Sequence, residues 1–462
     1  MTVNQMLFLR QIFRLSLMMI SVIVMAIITA DFAFASSVVA DLSTYMQLIH
    51  FQPDMTMEMR QVVISQMGGE MVEWIDELNV ARVSFSDQVV VASSADSSVI
   101  LIEGDGAVHG TEAGAVESGA SDKEENKGTS KESTENATIT DAQASYALDV
   151  IGSVDAWSYT MGDEDVIIAV IDTGVKMDHP EFENRIVPGY DFVNRDNDPT
   201  DDHGHGTHTA GIIAASMNND MGAAGVCPKC SIMPIKVLNE FNIGSWSSVA
   251  EGIVFAADNG AQIINLSLGA PMSSRIVERA IDYAQEKGVM VIAASGNSST
   301  DAPFYPAALD GVMAVSATTA DDTLWSSSNF GDYIDVSAPG DSIFNAYHQE
   351  QEGEAQFTHR SGTSMAAPHV AGLAGLLLSQ DETRTSEDLS RLIIDTADDL
   401  GDEGCDEQFG NGRINALSAL SAEGVLSQSA EVIMVEEGAG LMLGTAPEQA
   451  TTNQIFLPVV MN

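Results

Sequence analysis

Cysteine is scarce in this chain of 462 residues, which has only Cys227, Cys230 and Cys405. The first two have C-x-x-C spacing, but no second pair follows that would complete a zinc site. We therefore expect Cys227 and Cys230 to form either a small disulfide that closes a loop or two buried thiols. Cys405 is left without a partner in either case.

Basic residues are also few: 19 Lys and Arg stand against 67 Asp and Glu, which gives a formal net charge of −48. A protein that binds nucleic acid needs a basic face to neutralise phosphates, so this composition argues against nucleic-acid partners. An acidic surface is compatible instead with a salt-tolerant protein or with calcium binding.

Long apolar runs are confined to the N-terminus. Arg10 and Arg14 precede an apolar run at 15–30, and the sequence AFA follows at 33–35. This order is typical of a secretory signal peptide. A membrane anchor is the alternative, because the run is only slightly shorter than a spanning helix. We expect cleavage after Ala35, a secreted extracellular product and no membrane attachment in the mature form.

Aromatic residues are missing from residues 103–141, where Gly, Ser, Thr, Glu and Asp dominate. Such a segment cannot bury enough apolar surface to become ordered, so we predict an acidic disordered linker at 103–141. Linkers are readily cut, and a maturation cut is expected between about Gly104 and Ser145. Residues 423–462 show no clear helical period and form a C-terminal extension of unknown role.

Three short motifs carry the chemistry. VIIAVIDTGV (166–175) reads as a buried parallel strand that ends in Asp172, and HGHGTHTAG (203–211) reads as a turn that opens a helix at His205. SGTSMAAPH (361–369) puts Ser364 at the start of an apolar helix, where backbone amides and the helix dipole favour an anion. Each motif alone is compatible with a cap or a polar turn. Together, in the order Asp, His, Ser, they match the subtilisin arrangement of the catalytic triad.

On these motifs the chain resembles the subtilisin-like serine proteases, the subtilase family, over roughly residues 142–422. The resemblance implies that Ser364 is the nucleophile, that His205 is the general base and then the acid, and that Asp172 orients the imidazole. It also implies that Asn297, in ASGN at 294–297, donates to the oxyanion. His203 and His208 are assigned no catalytic role.

The implied function is a secreted serine endopeptidase that hydrolyses peptide bonds in proteins through an acyl-enzyme, without a cofactor for catalysis. We expect its activity to rise with pH as His205 loses its proton. A catalytically silent subtilase-fold binding module is one alternative. A processing protease of narrow specificity is another, but it would need an acidic first pocket that the residues around Phe304 do not supply.

The fold class predicted for residues 142–422 is α/β, a mostly parallel sheet with helices on both faces, because strand-like and helix-like segments alternate there. Residues 36–102 read as a small α+β domain, with a strand at 45–51 and a helix over Met55–Gln66 that ends at Gly68. This domain resembles the family's inhibitory propeptide, which would make the chain's own N-terminal part a partner. An unrelated adaptor domain is the alternative.

The resemblance further implies a substrate cleft that binds protein and peptide substrates as an added strand. One wall is Ser267, Leu268 and Gly269, and the other is Asn242, Ile243 and Gly244. Trp246 is expected near the pocket for the fourth residue before the scissile bond. Phe304 is expected at the base of the first specificity pocket, beside a cis-proline turn at Tyr305-Pro306, where it would favour small or medium apolar residues.

Structural calcium is the expected cofactor, at two sites. The loop SMNNDMG (216–222) resembles a calcium loop of the family, with the side chains of Asn219 and Glu181 as ligands. The acidic stretch DNDPTDD (196–202) offers Asp196, Asp198 and Asp201 at spacings that suit a hard cation. A solvated acidic turn is the alternative for the second site.

Overall fold

The computed structural model describes residues 45–85, 99–111, 145–217, 219, 221–348 and 356–422. The predicted signal peptide, most of the predicted linker and the C-terminal extension lie outside these residues. Within the described ranges, no helix is long and apolar enough to cross a membrane.

The N-terminal unit is a four-stranded sheet with one helix. Its strands lie in the order β2-β3-β1-β4, and all three pairs are antiparallel. Thr56 caps the helix through its hydroxyl, so the helix begins at Met57, two residues after the predicted start at Met55. The elements are β1 (Tyr45–Phe51), α1 (Met57–Gln66), β2 (Gly69–Ile75), β3 (Val80–Phe85) and β4 (Val99–Gly104).

Alternating side chains of this sheet enter two different cores. Ile49 and Phe51 of β1 pack with Val63 and Ile64 of α1. Leu48, which directly precedes Ile49 in the strand, belongs to the core of the following unit. Because successive side chains of a strand point to opposite faces, the sheet has its own helix on one face and the larger unit on the other.

The larger unit is built on a seven-stranded sheet in the order β14-β13-β12-β10-β6-β8-β7, with every pair parallel. The predicted α/β architecture is thus confirmed. Its strands are β6 (Ile167–Asp172), β7 (Tyr190–Asp191), β8 (Ser231–Lys236), β10 (Ile263–Leu266), β12 (Met290–Ala294), β13 (Val312–Thr318) and β14 (Val336–Pro339).

Helices cover both faces of this sheet. The helices are α2 (Tyr146–Val150), α3 (Ser153–Ala156), α4 (His205–Ala214), α5 (Trp246–Asp258), α6 (Arg275–Glu286), α7 (Thr363–Gln380), α8 (Ser386–Asp395) and α9 (Ala416–Ser421). Helices α4 and α7 pack together, and α5 packs on α6. A hairpin of β15 (Ile343–Tyr347) and β16 (Gln356–Arg360) lies against α4.

A third, small sheet corrects the predicted start of the linker at residue 103. Strand β4 continues to Gly104, and Ala107–Gly110 forms β5 between β9 (Ile243–Ser245) and β11 (Leu268–Gly269). Four residues are too few to show a period, and both partners of β5 lie far along the chain. Local sequence patterns therefore could not reveal this strand.

Of the two expectations for the C-x-x-C motif, the disulfide is observed between Cys227 and Cys230. Cys405 is exposed and takes part in no disulfide among the described residues.

Candidate active site

Asp172 and His205 form a buried pair at the carboxyl edge of the sheet. Asp172 ends the interior strand β6, and His205 begins α4. His205 Nδ1 lies 2.7 Å from Asp172 Oδ1, and both side chains are fully buried. The same oxygen accepts the amide of Thr173 at 2.7 Å. The carboxylate is therefore held by the backbone, and it in turn orients the imidazole.

The turn that carries His205 is organised by Asp201. Its Oδ1 accepts the amides of His203 and Gly204, and its Oδ2 accepts the amide and hydroxyl of Thr207. Thr173 donates to Oδ1 as well. The predicted role of Asp201 as a calcium ligand is therefore corrected: protein donors already occupy both of its oxygens. Asp201 instead accepts hydrogen bonds from the first turn of α4 and from the turn before it.

Ser364 is the second residue of α7 and is fully buried. The hydroxyl of Ser267 donates to its carbonyl oxygen at 2.9 Å, which ties the start of α7 to the end of the neighbouring sheet segment. Its own Oγ contacts the carbonyl oxygen of Thr111 and lies 2.5 Å from the Thr111 hydroxyl. A carbonyl group of the chain itself is thus in contact with the predicted nucleophile.

Asn297 follows β12 and supplies a donor to this region. Its Oδ1 accepts the amide of Thr363 at 3.0 Å and the hydroxyl of Thr363 at 2.9 Å. These two bonds fix the orientation of the side-chain amide. Its Nδ2 is buried and has no hydrogen-bond partner among the described residues. A fixed, desolvated N–H donor is the arrangement that stabilises a developing oxyanion.

The two predicted cleft walls face each other across β5. Val108 pairs with Gly244 on one side, and Gly110 pairs with Leu268 on the other. Just beyond the strand, Thr111 N donates to the Ser267 carbonyl at 3.0 Å. Sequence analysis predicted the walls but missed this occupant, since only the tertiary structure brings residues 107–111 between them.

The model of the subtilase family matches residues 163–412, more than half of the chain. Thermitase of Thermoactinomyces vulgaris is 42% identical over 275 residues, which are 60% of this chain and 95% of thermitase. This chain belongs to the subtilase family. As a subtilase it is a serine-type endopeptidase.

Further similarities extend the comparison. Subtilisin DY of Bacillus licheniformis is 39% identical over 258 residues, 55% of this subtilase and 90% of that protein. The halolysin-like extracellular serine protease Nep of Natrialba magadii is 38% identical over 286 residues, 60% of this chain and 51% of Nep. The crystal structure of fervidolysin from Fervidobacterium pennivorans, described as a keratinolytic enzyme related to subtilisin, superposes with a TM-score of 0.69. The two are 25% identical, and the match covers 82% of this chain and 61% of fervidolysin.

Trp246 and Phe304, the residues predicted for two substrate pockets, both lie beside the strands of the cleft. Trp246 is almost fully buried in the same core as Val108 of β5. Phe304 lies against Gly269 of the predicted cleft wall and against Gly296. A Cβ atom built on Gly269 would come 2.4 Å from its ring, and one on Gly296 would come 2.9 Å from it. The adjoining Tyr305-Pro306 bond is cis. The aromatic ring of Phe304 thus lies close to both Gly269 and Gly296.

The first predicted calcium site contains an unusual carboxylate. Glu181 is fully buried; its Oε2 accepts Asn219 Nδ2 at 2.8 Å, while Oε1 has no hydrogen-bond partner within the described ranges. Burial raises the pKa of Glu181 to about 7, although the bond from Asn219 acts in the opposite direction. An orphaned buried oxygen beside an amide side chain fits a hard cation, which would offset the lost hydration.

The second predicted site is less well assembled. Asp196 and Asp198 are exposed: the first accepts the amide of Asp198 and the second accepts the Thr200 hydroxyl. Across the part of the chain that the structure describes, no group of three or more His, Cys, Asp or Glu side chains is gathered for a metal ion.

His208, which was assigned no catalytic role, is buried between α4 and the hairpin. Its Nε2 lies 3.1 Å from the carbonyl oxygen of Ile343 and 3.2 Å from that of Thr358. Burial lowers its pKa to about 3, so the ring is neutral and donates from Nε2. His208 thereby joins α4 to the hairpin of β15 and β16.

Proposed function

We propose that this subtilase is exported as a precursor and cuts proteins through an acyl-enzyme on Ser364. The observation that carries the proposal is the contact of Ser364 Oγ, at the start of α7, with a carbonyl oxygen seated between the two predicted cleft walls. The buried Asp172–His205 pair supports it, and so does Asn297 Nδ2, which is buried without a hydrogen-bond partner among the described residues. His205 removes the proton of Ser364 Oγ during attack, and Asp172 stabilises the imidazolium that forms. His205 then protonates the leaving amine, and water hydrolyses the ester.

The oxyanion of each tetrahedral intermediate is stabilised by Asn297 Nδ2 and the backbone amide of Ser364. Ser364 is a buried residue, and the Nδ2 atom of Asn297 is buried as well. Water therefore screens their interaction with a negative charge only weakly. They are in place before the reaction, because Thr363 holds Asn297 and the first turn of α7 holds Ser364. No reorganisation is then needed as the charge develops.

The N-terminal unit acts in this proposal as an inhibitory propeptide. Glu103 accepts the amides of Arg275 and Ile276 at the start of α6, each at 2.9 Å. Asp105 accepts the amide and hydroxyl of Ser247 at the start of α5, at 3.0 and 2.8 Å. Two carboxylates therefore cap two neighbouring helices, and both gain from the helix dipoles.

An ion pair adds to this docking. Arg195 of the protease contacts Glu73 of the N-terminal unit at 2.6 Å and Glu251 of α5 at 2.7 Å. With the unit docked in this way, residues 107–111 fill the cleft, and no other substrate can enter until they leave.

Calcium is proposed only at the loop that contains Asn219, where Glu181 and Asn219 would hold it. When bound, the ion supplies a fixed positive charge beside the buried carboxylate of Glu181, a stabilising role with no part in catalysis. Secretion is supported by the signal-peptide pattern that ends at Ala35 and by the extracellular relative Nep.

The experiment compares secreted wild type with Ser364→Ala by intact mass and by casein hydrolysis. Loss of the N-terminal part together with casein digestion in the wild type, against an inert full-length variant, supports the proposal. A catalytically silent binding module predicts that both proteins stay intact and that neither digests casein.

A further inference from the structure

We propose that this protease cuts its own chain on the carboxyl side of Thr111, and that Val108 and Thr111 represent the side chains it prefers in substrates. The inference rests on the proposed self-processing and adds the bond and the specificity. By sequence, the new N-terminus is Glu112.

The register of β5 assigns each residue to a position in the cleft. Thr111 presents its carbonyl oxygen to Ser364 Oγ and donates its amide to the Ser267 carbonyl at 3.0 Å. Gly110 donates to the Asn242 carbonyl at 3.3 Å on the opposite wall. Thr111 is therefore the residue immediately before the scissile bond, which makes Val108 the fourth.

The burial of each side chain of residues 107–111 shows which substrate positions the cleft encloses and can therefore discriminate. Val108 is fully buried and Thr111 is 6% exposed, whereas Ala107 and His109 point away from the cleft floor and are exposed. Enclosing a valine side chain is worth roughly 1.5–3 kcal/mol, or about 10- to 100-fold in a rate or binding constant. Positions four and one before the bond should therefore decide cleavage, and position three should be tolerant.

The bond changes follow the ordinary course for a serine protease. Ser364 Oγ bonds to the carbonyl carbon of Thr111 while its proton passes to His205. The bond from that carbon to the Glu112 nitrogen breaks, and the nitrogen takes the proton from His205 as it leaves. Water then hydrolyses the ester, which leaves Thr111 with a carboxylate and restores the serine.

The first test identifies the C-terminus of the released N-terminal fragment by mass spectrometry at early times of processing. This end is chosen because the new N-terminus of the protease can be trimmed later. A fragment that ends at Thr111 is expected. A fragment that ends elsewhere, from a preparation that digests casein, overturns the inference while the protease function stands. An uncut chain without casein activity overturns the proposed function itself.

The second test uses peptides, which cannot misfold. Ala-Val-His-Gly-Thr-p-nitroanilide is compared with versions in which Asp replaces Val or Arg replaces Thr. Each change should lower kcat/KM of the mature protease at least tenfold. Replacing His by Ala, at the exposed third position, serves as the matched control and should change kcat/KM less than about threefold. Equal rates for all four peptides would contradict the specificity.

In the full chain, Thr111→Arg should slow or displace the first cut, whereas Thr111→Ser should keep it at residue 111. An unchanged cut after residue 111, at an unchanged rate, in Thr111→Arg would overturn the proposed preference.

Discussion

The N-terminal unit and the protease unit both place apolar side chains on a β-sheet, but they differ in what covers that sheet. The seven-stranded sheet has helices of its own unit on both faces. The four-stranded sheet has α1 on one face, while Leu48 and Val80 on the other face belong to the protease core. A unit of this size has a small core even when complete. The N-terminal unit should therefore depend on the protease for its stability, and the protease should not depend on it once folded.

The contacts between the units differ in kind from those within the protease. Carboxylate caps and an arginine bridge hold the N-terminal unit, whereas a buried network holds Asp172, His205 and Asp201 in place. The ion pair of Arg195 with Glu73 is partly exposed, and such contacts contribute modestly and weaken with salt. A contact of this kind is compatible with the proposed release of the unit.

The largest expected effect comes from removing the hydroxyl of Ser364, the proposed nucleophile. Ser364→Ala should lower kcat on casein by about 10⁶-fold, because the serine and its histidine base act together and the loss of either removes most of the catalysis. It should also leave the chain uncut, as seen by intact mass. Ser361→Ala is a control outside the triad and should still be processed. A processed Ser364→Ala chain in the absence of other proteases would show that this serine is not the nucleophile.

Removing one oxyanion donor should have the next largest effect. Asn297→Ala should lower kcat by roughly 10²–10³-fold with KM little changed, because the donor acts on the transition state. Kinetics on a peptide anilide would measure both constants. Asn259→Ala, at the exposed end of α5, is the matched control. A change confined to KM would place Asn297 in ground-state binding instead.

Glu181 should make the protease unit less stable as the pH rises without calcium. Its pKa is about 7 in the folded protein, above the ordinary value of 4.5, so the folded state holds the proton more tightly. The associated stability is present below about pH 4.5 and is lost as the pH rises through 7, by up to about 3 kcal/mol. Urea unfolding of Ser364→Ala in EDTA, at pH 5 and pH 8, measures this loss.

In the same background, Glu181→Gln should reduce the difference between the two pH values, while the exposed Glu183→Gln should not. Calcium should raise stability more at pH 8 than at pH 5. If calcium had the same effect at both pH values, or none, Glu181 would not be its ligand.

The smallest effect should come from the helix caps at the boundary between the units. Glu103→Gln and Asp105→Asn should each weaken inhibition of the mature protease by the fragment 36–111 about fivefold, or about 1 kcal/mol. Inhibition constants measured at low salt test this. Glu70→Gln, exposed on β2, is the control. Unchanged constants for both cap variants would mean that the apolar contacts alone hold the unit.

Much of the site could be predicted because its residues lie in short motifs. Asp172, His205, Ser364 and Asn297 each stand where a strand ends or a helix begins, and the sequence around each shows this. Asp201 was misassigned for the same local reason: its spacing to Asp196 and Asp198 suggests a cation, but its partners, Thr173 and Thr207, are not visible as a pattern. Hydrogen bonds between residues that are far apart in the chain produce no periodic pattern in the sequence.

The amino-acid sequence by itself determined the fold class, since hydrophobic periodicity and turn residues act locally. It also carries the motifs whose resemblance to the family implies the catalytic residues and the cleft walls. Only the tertiary structure decided that Ala107–Gly110 would form the central strand between the two predicted cleft walls, with Thr111 against Ser364, the proposed nucleophile. A four-residue strand has no stability of its own. It exists because Ile243–Ser245 and Leu268–Gly269 offer unpaired backbone groups on both sides.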